Sequence, residues 1–161
     1  MPKVGIVISN YNGWQDTLVG LDSLQKQTFT DFEVILIDDA SPNDSVAQLQ
    51  NKLPPNTVFL PQERNVGFAA ANNLGYRAIP EETECVVFLN PDAFLEPGTL
   101  GRAQAILTAH PRVGCLSGLL LGWDLEADRP SGRIDSTGIF RRWYGRWDDC
   151  VQGQVLTGPY D

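Results

Sequence analysis

Two acidic positions could do chemistry. Asp38-Asp39 closes an apolar run and precedes the turn-forming stretch from Ala40 to Asp44. A carboxylate placed there can accept hydrogen bonds from ribose hydroxyls or from a pyrimidine ring N–H. Either residue can instead brace the turn, a common role for Asp ahead of Ser-Pro-Asn, and the two roles can coexist in one pair. Asn90-Pro91-Asp92 closes another apolar run. A carboxylate at that point suits Mg²⁺ or Mn²⁺, hard cations that take oxygen donors and leave several positions to diphosphate oxygens. Its structural alternative is an ordinary Pro-Asp turn. Tyr11, beside Asn10 after the first apolar run, could stack on a base or plug the surface as an aromatic lid.

Other chemistries lack their residues. His110 is the single histidine and stands before Pro111 at a helix end, so histidine-dependent triads and histidine-rich metal sites find no support. Cys85, Cys115 and Cys150 show no C-x-x-C spacing, and Cys85 and Cys115 read as small residues of buried strands. Neither the G-x-G-x-x-G turn of dinucleotide-binding folds nor the G-x-x-x-x-G-K-[ST] phosphate loop occurs. What remains is a nucleotide site of another kind.

For the acidic positions to act together, their elements must end on one edge. Val4 to Ser9 and Glu33 to Asp38 are apolar runs without alternation, the pattern of strands buried on both faces. Trp14, Leu18, Leu21 and Leu24 recur at helical spacing between them, and a short helix is expected over 46–52. Thr57 to Leu60 reads as a weaker strand. Asn65 is expected to cap a helix over 67–79 with Phe68, Ala71, Leu74 and Ala78 inward. Cys85 to Leu89 reads as a strand, Pro97 opens a helix to about Ala109, and Val113 to Leu121 is expected to be a fifth strand. Such alternation predicts an α/β fold with a mostly parallel sheet, whose ligands bind outside the carboxyl ends of the strands.

The chain has 161 residues, consistent with one compact unit. Its formal net charge of −8 argues against nucleic acid as a main partner. The longest apolar run, Val113 to Leu121, is too short to span a bilayer, and no signal-type segment opens the chain, so the expectation is no transmembrane segment and a reducing cytoplasm. Beyond Gly122 the character changes. Arg129, Arg133, Arg141, Arg142 and Arg146 interleave with Trp123, Phe140, Trp143, Tyr144 and Trp147 among acids that outnumber them. That stretch reads as loops and hairpins. The division expected is therefore residues 1–122 as an α/β core and 123–161 as an arginine- and aromatic-rich segment.

Four stretches taken in order resemble one family: Val4 to Asn12, Gln27 to Ser41, Asn65 to Gly75, and Phe88 to Ala93. They are similar to glycosyltransferase family 2 with its GT-A fold, in the rhamnosyltransferase-like branch, over Lys3 to about Leu121. The resemblance implies helices on both faces of the sheet and a donor-binding role for residues 1–122. It implies that Asn10, Tyr11 and Asp39 hold the base and ribose, and that Arg64, Asn65 and Gly67 lie beside the nucleotide. Asn90-Pro91-Asp92 would stand at the family's D-x-D metal motif, with Asp92 as the ligand, Asn90 as a weaker neighbour, and Mg²⁺ or Mn²⁺ as cofactor. The donor would be a dTDP- or UDP-sugar and the acceptor a saccharide or a lipid-linked molecule, transfer proceeding with inversion in the cytoplasm, peripheral to the membrane through the acceptor.

Two features depart from the family pattern. Asn90 replaces the acid that opens the usual motif, removing one negative charge, although this branch often carries the same triplet. The Glu-Asp motif that supplies the family's catalytic base has no counterpart before Asp161. The catalytic base is thus unassigned and expected beyond residue 161, with 123–161 the incomplete start of an acceptor-side region. Asp135, Asp148, Asp149 and Asp161 are the acids late enough to substitute for it. A non-catalytic nucleotide-sugar-binding fragment is the alternative. A receiver-like regulatory module would need its acidic pair after the first strand and a lysine after the fifth, whereas no lysine follows Lys52.

Overall fold

The computed structural model describes residues 3–124, 126–127 and 129–158. The chain divides into two compact units, residues 1–109 and 110–161. The division falls earlier than the composition change at Gly122.

The first unit alternates strand and helix: β1 (Val4–Asn10), α1 (Trp14–Gln25), β2 (Phe32–Asp38), α2 (Ser45–Gln50), β3 (Thr57–Pro61), α3 (Phe68–Ala78), β4 (Cys85–Leu89) and α4 (Thr99–Ala109). The strands form one sheet in the order β3-β2-β1-β4, and every pairing is parallel. The two central strands are those with uninterrupted apolar runs. Ile6, Val7, Val34, Leu36 and Ile37 have no measurable exposure, because both faces of the sheet are covered.

Side chains alternate between those faces. Ile6, Ile8, Val34 and Leu36 join Leu21 and Leu24 of α1, Leu49 of α2 and Leu100 of α4 in the larger cluster. Burying each such Leu or Ile side chain is worth about 1.5–3 kcal/mol, which makes this face the main source of the unit's stability. Ile35 and Ile37 lie on the opposite face and pack against Ala71 of α3, with Ile79 beside them. Helices on both faces of a mostly parallel sheet make the α/β class expected from the pattern.

Local readings need correction. Helix α3 does not turn Phe68 inward: that ring is 63% exposed, and the buried residues are Ala71, Asn72 and Gly75. Its approach to the sheet is so close that a Cβ on Gly75 would collide with Cγ1 of Val7. Small residues must face the sheet there, and a phenyl ring does not fit. The N-cap is Gly67 rather than Asn65, at φ 85°, a left-handed value that glycine adopts without steric cost. Pro97 lies in a turn just before α4.

The expected fifth parallel strand is absent. Residues 113–119 are irregular, Cys115 is exposed, and the next strand, β5 (Leu120–Asp124), pairs antiparallel with β6 (Arg129–Ser136). Nine residues of apolar character could satisfy a buried strand, but a strand also needs a neighbour to receive its backbone groups, and Leu120–Asp124 finds one in the following segment. A second hairpin joins β7 (Ile139–Arg141) to β8 (Trp147–Asp149). Ile134 and Ser136 are the buried residues of β6. Among the described residues no helix is long and apolar enough to cross a membrane.

Candidate functional site

The carboxyl ends of β1, β2 and β4 lie side by side, with Asn10 opposite Asp38 and Ile8 opposite Leu89. Three of the sequence-predicted segments therefore issue from one edge. The backbone N–H of Asp39 donates to the carbonyl of Asn10 at 2.9 Å, so the first two segments remain paired one step beyond the regular strands.

Asp38 and Asp39 turn to different partners within the protein. Asp38 is fully buried and turned to internal partners. Its Oδ2 accepts from Nδ2 of Asn10 at 2.6 Å and from the hydroxyl of Ser41 at 2.8 Å, while Oδ1 accepts from the Ser41 backbone N–H at 2.9 Å. Asp39 reaches across to the loop before α3. Its Oδ1 accepts from the N–H of Val66 at 2.8 Å and its Oδ2 from the N–H of Gly67 at 2.9 Å. Both of its oxygens thereby satisfy donors at a helix start. This contact brings Arg64, Asn65 and Gly67 to the edge occupied by Asp39. Arg64 and Asn65 have exposed side chains.

Asn10 is also wholly buried. Its Oδ1 accepts from the Thr17 hydroxyl of α1 at 3.0 Å, and its Nδ2 is held by Asp38. The side chain is spent inside the protein, where it joins β1 to α1 and to the end of β2. Tyr11, the next residue, is 52% exposed and presents a ring to solvent.

Asn90, Pro91, Asp92 and Ala93 form a turn closed by the Ala93 N–H donating to the Asn90 carbonyl at 3.1 Å. The ordinary turn is therefore realised, and it leaves the side chains of Asn90 and Asp92 exposed. The turn rests on α1 at Gly20, where a Cβ would meet the carbonyl oxygens of Pro91 and Ala93 at 3.4 Å. Gln27 fixes the chain that follows, donating to the carbonyl of Glu96 at 2.8 Å and accepting from the N–H of Leu100 at 3.1 Å. Among the described residues no three His, Cys, Asp or Glu side chains gather as a metal cage. An exposed single carboxylate with an amide oxygen nearby nevertheless fits Mg²⁺ or Mn²⁺, provided that the ligand supplies most of the oxygens.

Sequence reasoning missed Ser41, Thr17 and Gln27 as organising residues. Their hydroxyl and amide groups carry no charge pattern, and only the fold reveals what they join. Of the late acids, Asp148 is engaged by Arg142 Nε at 2.6 Å and Arg146 Nε at 2.8 Å, while Asp161 lies outside the described residues. The hydrogen bond from Arg142 holds the Asp148 carboxyl below its ordinary range, with the charge of Arg146 adding to the effect. A carboxylate so stabilised is a weak proton acceptor.

A parallel α/β sheet with acidic residues at its strand ends defines the class of fold, and comparison with known proteins gives the family. The family model for glycosyl transferase family 2 matches residues 5–145, and the chain belongs to that family. An uncharacterized glycosyltransferase of Nostoc sp. is 31% identical over 117 residues, covering 71% of this chain and 35% of the relative. The poly(ribitol-phosphate) beta-N-acetylglucosaminyltransferase TarS of Staphylococcus aureus is 31% identical over 68% of this chain and 20% of its own length. Its 1–349 crystal structure in complex with UDP-GlcNAc superposes with a TM-score of 0.58 at 30% identity, covering 68% of this chain and 32% of that one. A mannosyltransferase of Pyrobaculum calidifontis in complex with GDP-Man and Mn²⁺ gives a TM-score of 0.63 at 25% identity, covering 72% and 35%. The fold is thus GT-A-like. The chain spans about a third of the length of the first curated relatives that it matches.

Proposed function

We propose that this chain is the donor-binding region of an inverting glycosyltransferase that takes a sugar from a UDP- or dTDP-sugar to a saccharide or lipid-linked acceptor. The observation that carries the reading is the edge shared by β1 and β2, where Asp39 holds the loop before α3 through Val66 and Gly67 and pairs with Asn10, the residue before the exposed Tyr11. Tyr11 offers a stacking face to the base, and Asp39 retains acceptor capacity beyond its two backbone bonds. Asp92 would hold Mg²⁺ or Mn²⁺ on the diphosphate, with Asn90 as a weaker neighbour, and the cation would neutralise charge on the departing nucleotide. The solved relatives that carry UDP-GlcNAc, or GDP-Man with Mn²⁺, support this reading. We place the reaction in the cytoplasm, at the membrane surface where the acceptor is lipid-linked. Residues 123–161 belong, in this reading, to the acceptor side. Placement in the rhamnosyltransferase-like branch rests on the Asn90-Pro91-Asp92 triplet.

Calorimetry with UDP, dTDP and GDP tests the reading. UDP or dTDP should bind, and Asp39→Ala should weaken binding by roughly tenfold to a hundredfold, the loss of a charge-assisted hydrogen bond of about 1.5–3 kcal/mol. Unchanged affinity in that variant would remove Asp39 from the nucleotide site. Competition between dTDP-rhamnose and UDP-GlcNAc reads the branch. Donor binding without transfer to any acceptor would favour the non-catalytic alternative.

A further inference from the structure

The loops after β1 and β2 are laced together, and Ser41 is at the centre of the lacing. Its hydroxyl donates to Oδ2 of buried Asp38 at 2.8 Å and accepts from the Asn12 backbone N–H at 2.8 Å. Nδ2 of Asn43 adds a bond to the Asn12 carbonyl at 3.0 Å, and the Trp14 indole N–H donates to Asp44 at 3.1 Å. Each loop also carries a non-glycine residue in the left-handed region, Asn12 at φ 63° and Ala40 at φ 56°. Such conformations persist only where the surroundings over-determine them, more so for alanine than for asparagine. Asn12 follows Tyr11 directly and Ala40 follows Asp39 directly. The strained positions thus adjoin the two residues that the proposed function gives to the nucleotide.

We propose that Ser41 is a positioning residue for nucleotide binding: its hydroxyl, anchored by Asp38, fixes the spacing of the Tyr11 and Asp39 loops without touching the ligand. This inference rests on the nucleotide-binding reading of that edge. Without the hydroxyl, the Asn12 N–H loses its protein acceptor and the two loops are no longer joined at that point. A ligand must then order them on binding, a cost that appears as lost affinity.

The test compares wild type with Ser41→Ala and Ser41→Thr, measuring UDP affinity by calorimetry, thermal midpoint, and hydrogen exchange at the Asn12 amide. Ser41→Ala should weaken UDP by about tenfold, a penalty set by loop ordering, with faster exchange at Asn12 and unchanged protection in β1 and β2. Ser41→Thr keeps a hydroxyl and should restore both affinity and protection. If the alanine variant does not fold, Ser41→Cys, close in size but a poor hydrogen-bonding group, takes its place with the same expected result. UDP affinity equal to wild type in the folded variant overturns the positioning role while leaving the nucleotide site intact. Affinity loss matched by a general loss of protection in β1 and β2 also overturns it, since Ser41 would then serve only stability. Failure of wild type itself to bind UDP, dTDP or GDP overturns the nucleotide reading and this inference together.

Discussion

Asp92 and Asp39 are both carboxylates at strand ends, yet their surroundings divide their duties. Asp39 is 2% exposed and committed to two backbone donors, whereas Asp92 is exposed at the tip of a turn. Substitution of Asp39 therefore disturbs protein and ligand together, and substitution of Asp92 should be felt only through the ligand. Mn²⁺ is expected to tighten binding of UDP, and Asp92→Asn is expected to abolish that gain while leaving UMP binding nearly unaltered, because a cation held by Asp92 would offset the charge of a diphosphate. Titration of UDP with and without a chelator checks this. Wild-type affinity indifferent to the chelator would leave Asp92 as a turn residue.

Helix α3 and the hairpin of β7 and β8 owe their geometry to opposite causes. Helix α3 is drawn close to the sheet by small residues, so Gly75→Ala sets two effects against each other. Alanine is favoured over glycine in a helix by about 1 kcal/mol. Its methyl group, however, would be forced against Val7, which has no measurable exposure and little room to yield. Overpacking costs about 1–3 kcal/mol, and with so little room at Val7 it should win, lowering stability by up to about 2 kcal/mol net in urea denaturation. A variant as stable as wild type would mean that α3 is free to shift outward. The hairpin instead is held by its backbone ladder with surface ion pairs added, since its aromatic residues Trp143, Tyr144 and Trp147 are exposed. Arg142 and Arg146 both bind Asp148, whose carboxyl titrates below its ordinary range. The stabilisation is present above the unfolded-state pKa and fades as pH falls through the lower folded value. Acidification below pH ~4 should loosen the hairpin, and Asp148→Asn should remove that acid transition from the tryptophan fluorescence. An identical transition in the variant would assign it to other acids.

At the scale of the whole molecule, both apolar clusters draw their buried members from residues up to Leu100. Every candidate nucleotide or metal residue also lies within residues 1–109. A polypeptide of residues 1–109 is accordingly expected to unfold cooperatively and to bind UDP within about threefold of the full chain, a difference below 1 kcal/mol. Circular dichroism during thermal unfolding, paired with calorimetry, checks both statements. Loss of cooperative unfolding would mean that residues 110–161 complete the core.

The order of elements in the first unit was legible because Val4 to Ser9 and Glu33 to Asp38 could be satisfied only as strands covered on both sides. The acidic positions were legible because carboxylates and turn residues leave a mark at strand ends. Tertiary structure alone decided what those groups touch. Asp38 and Asp39 are adjacent and chemically identical, and their division of labour follows from the pleat, which sends one toward Asn10 and Ser41 and the other toward Val66 and Gly67. The facing of α3 was settled by the distance at which Gly75 meets Val7, a packing fact invisible to periodicity. Likewise the Val113 to Leu121 run had the composition of a strand, but composition names no partner: Leu120–Asp124 paired with Arg129–Ser136 because backbone hydrogen bonds, which every sequence carries equally, are assigned only when the chain has folded.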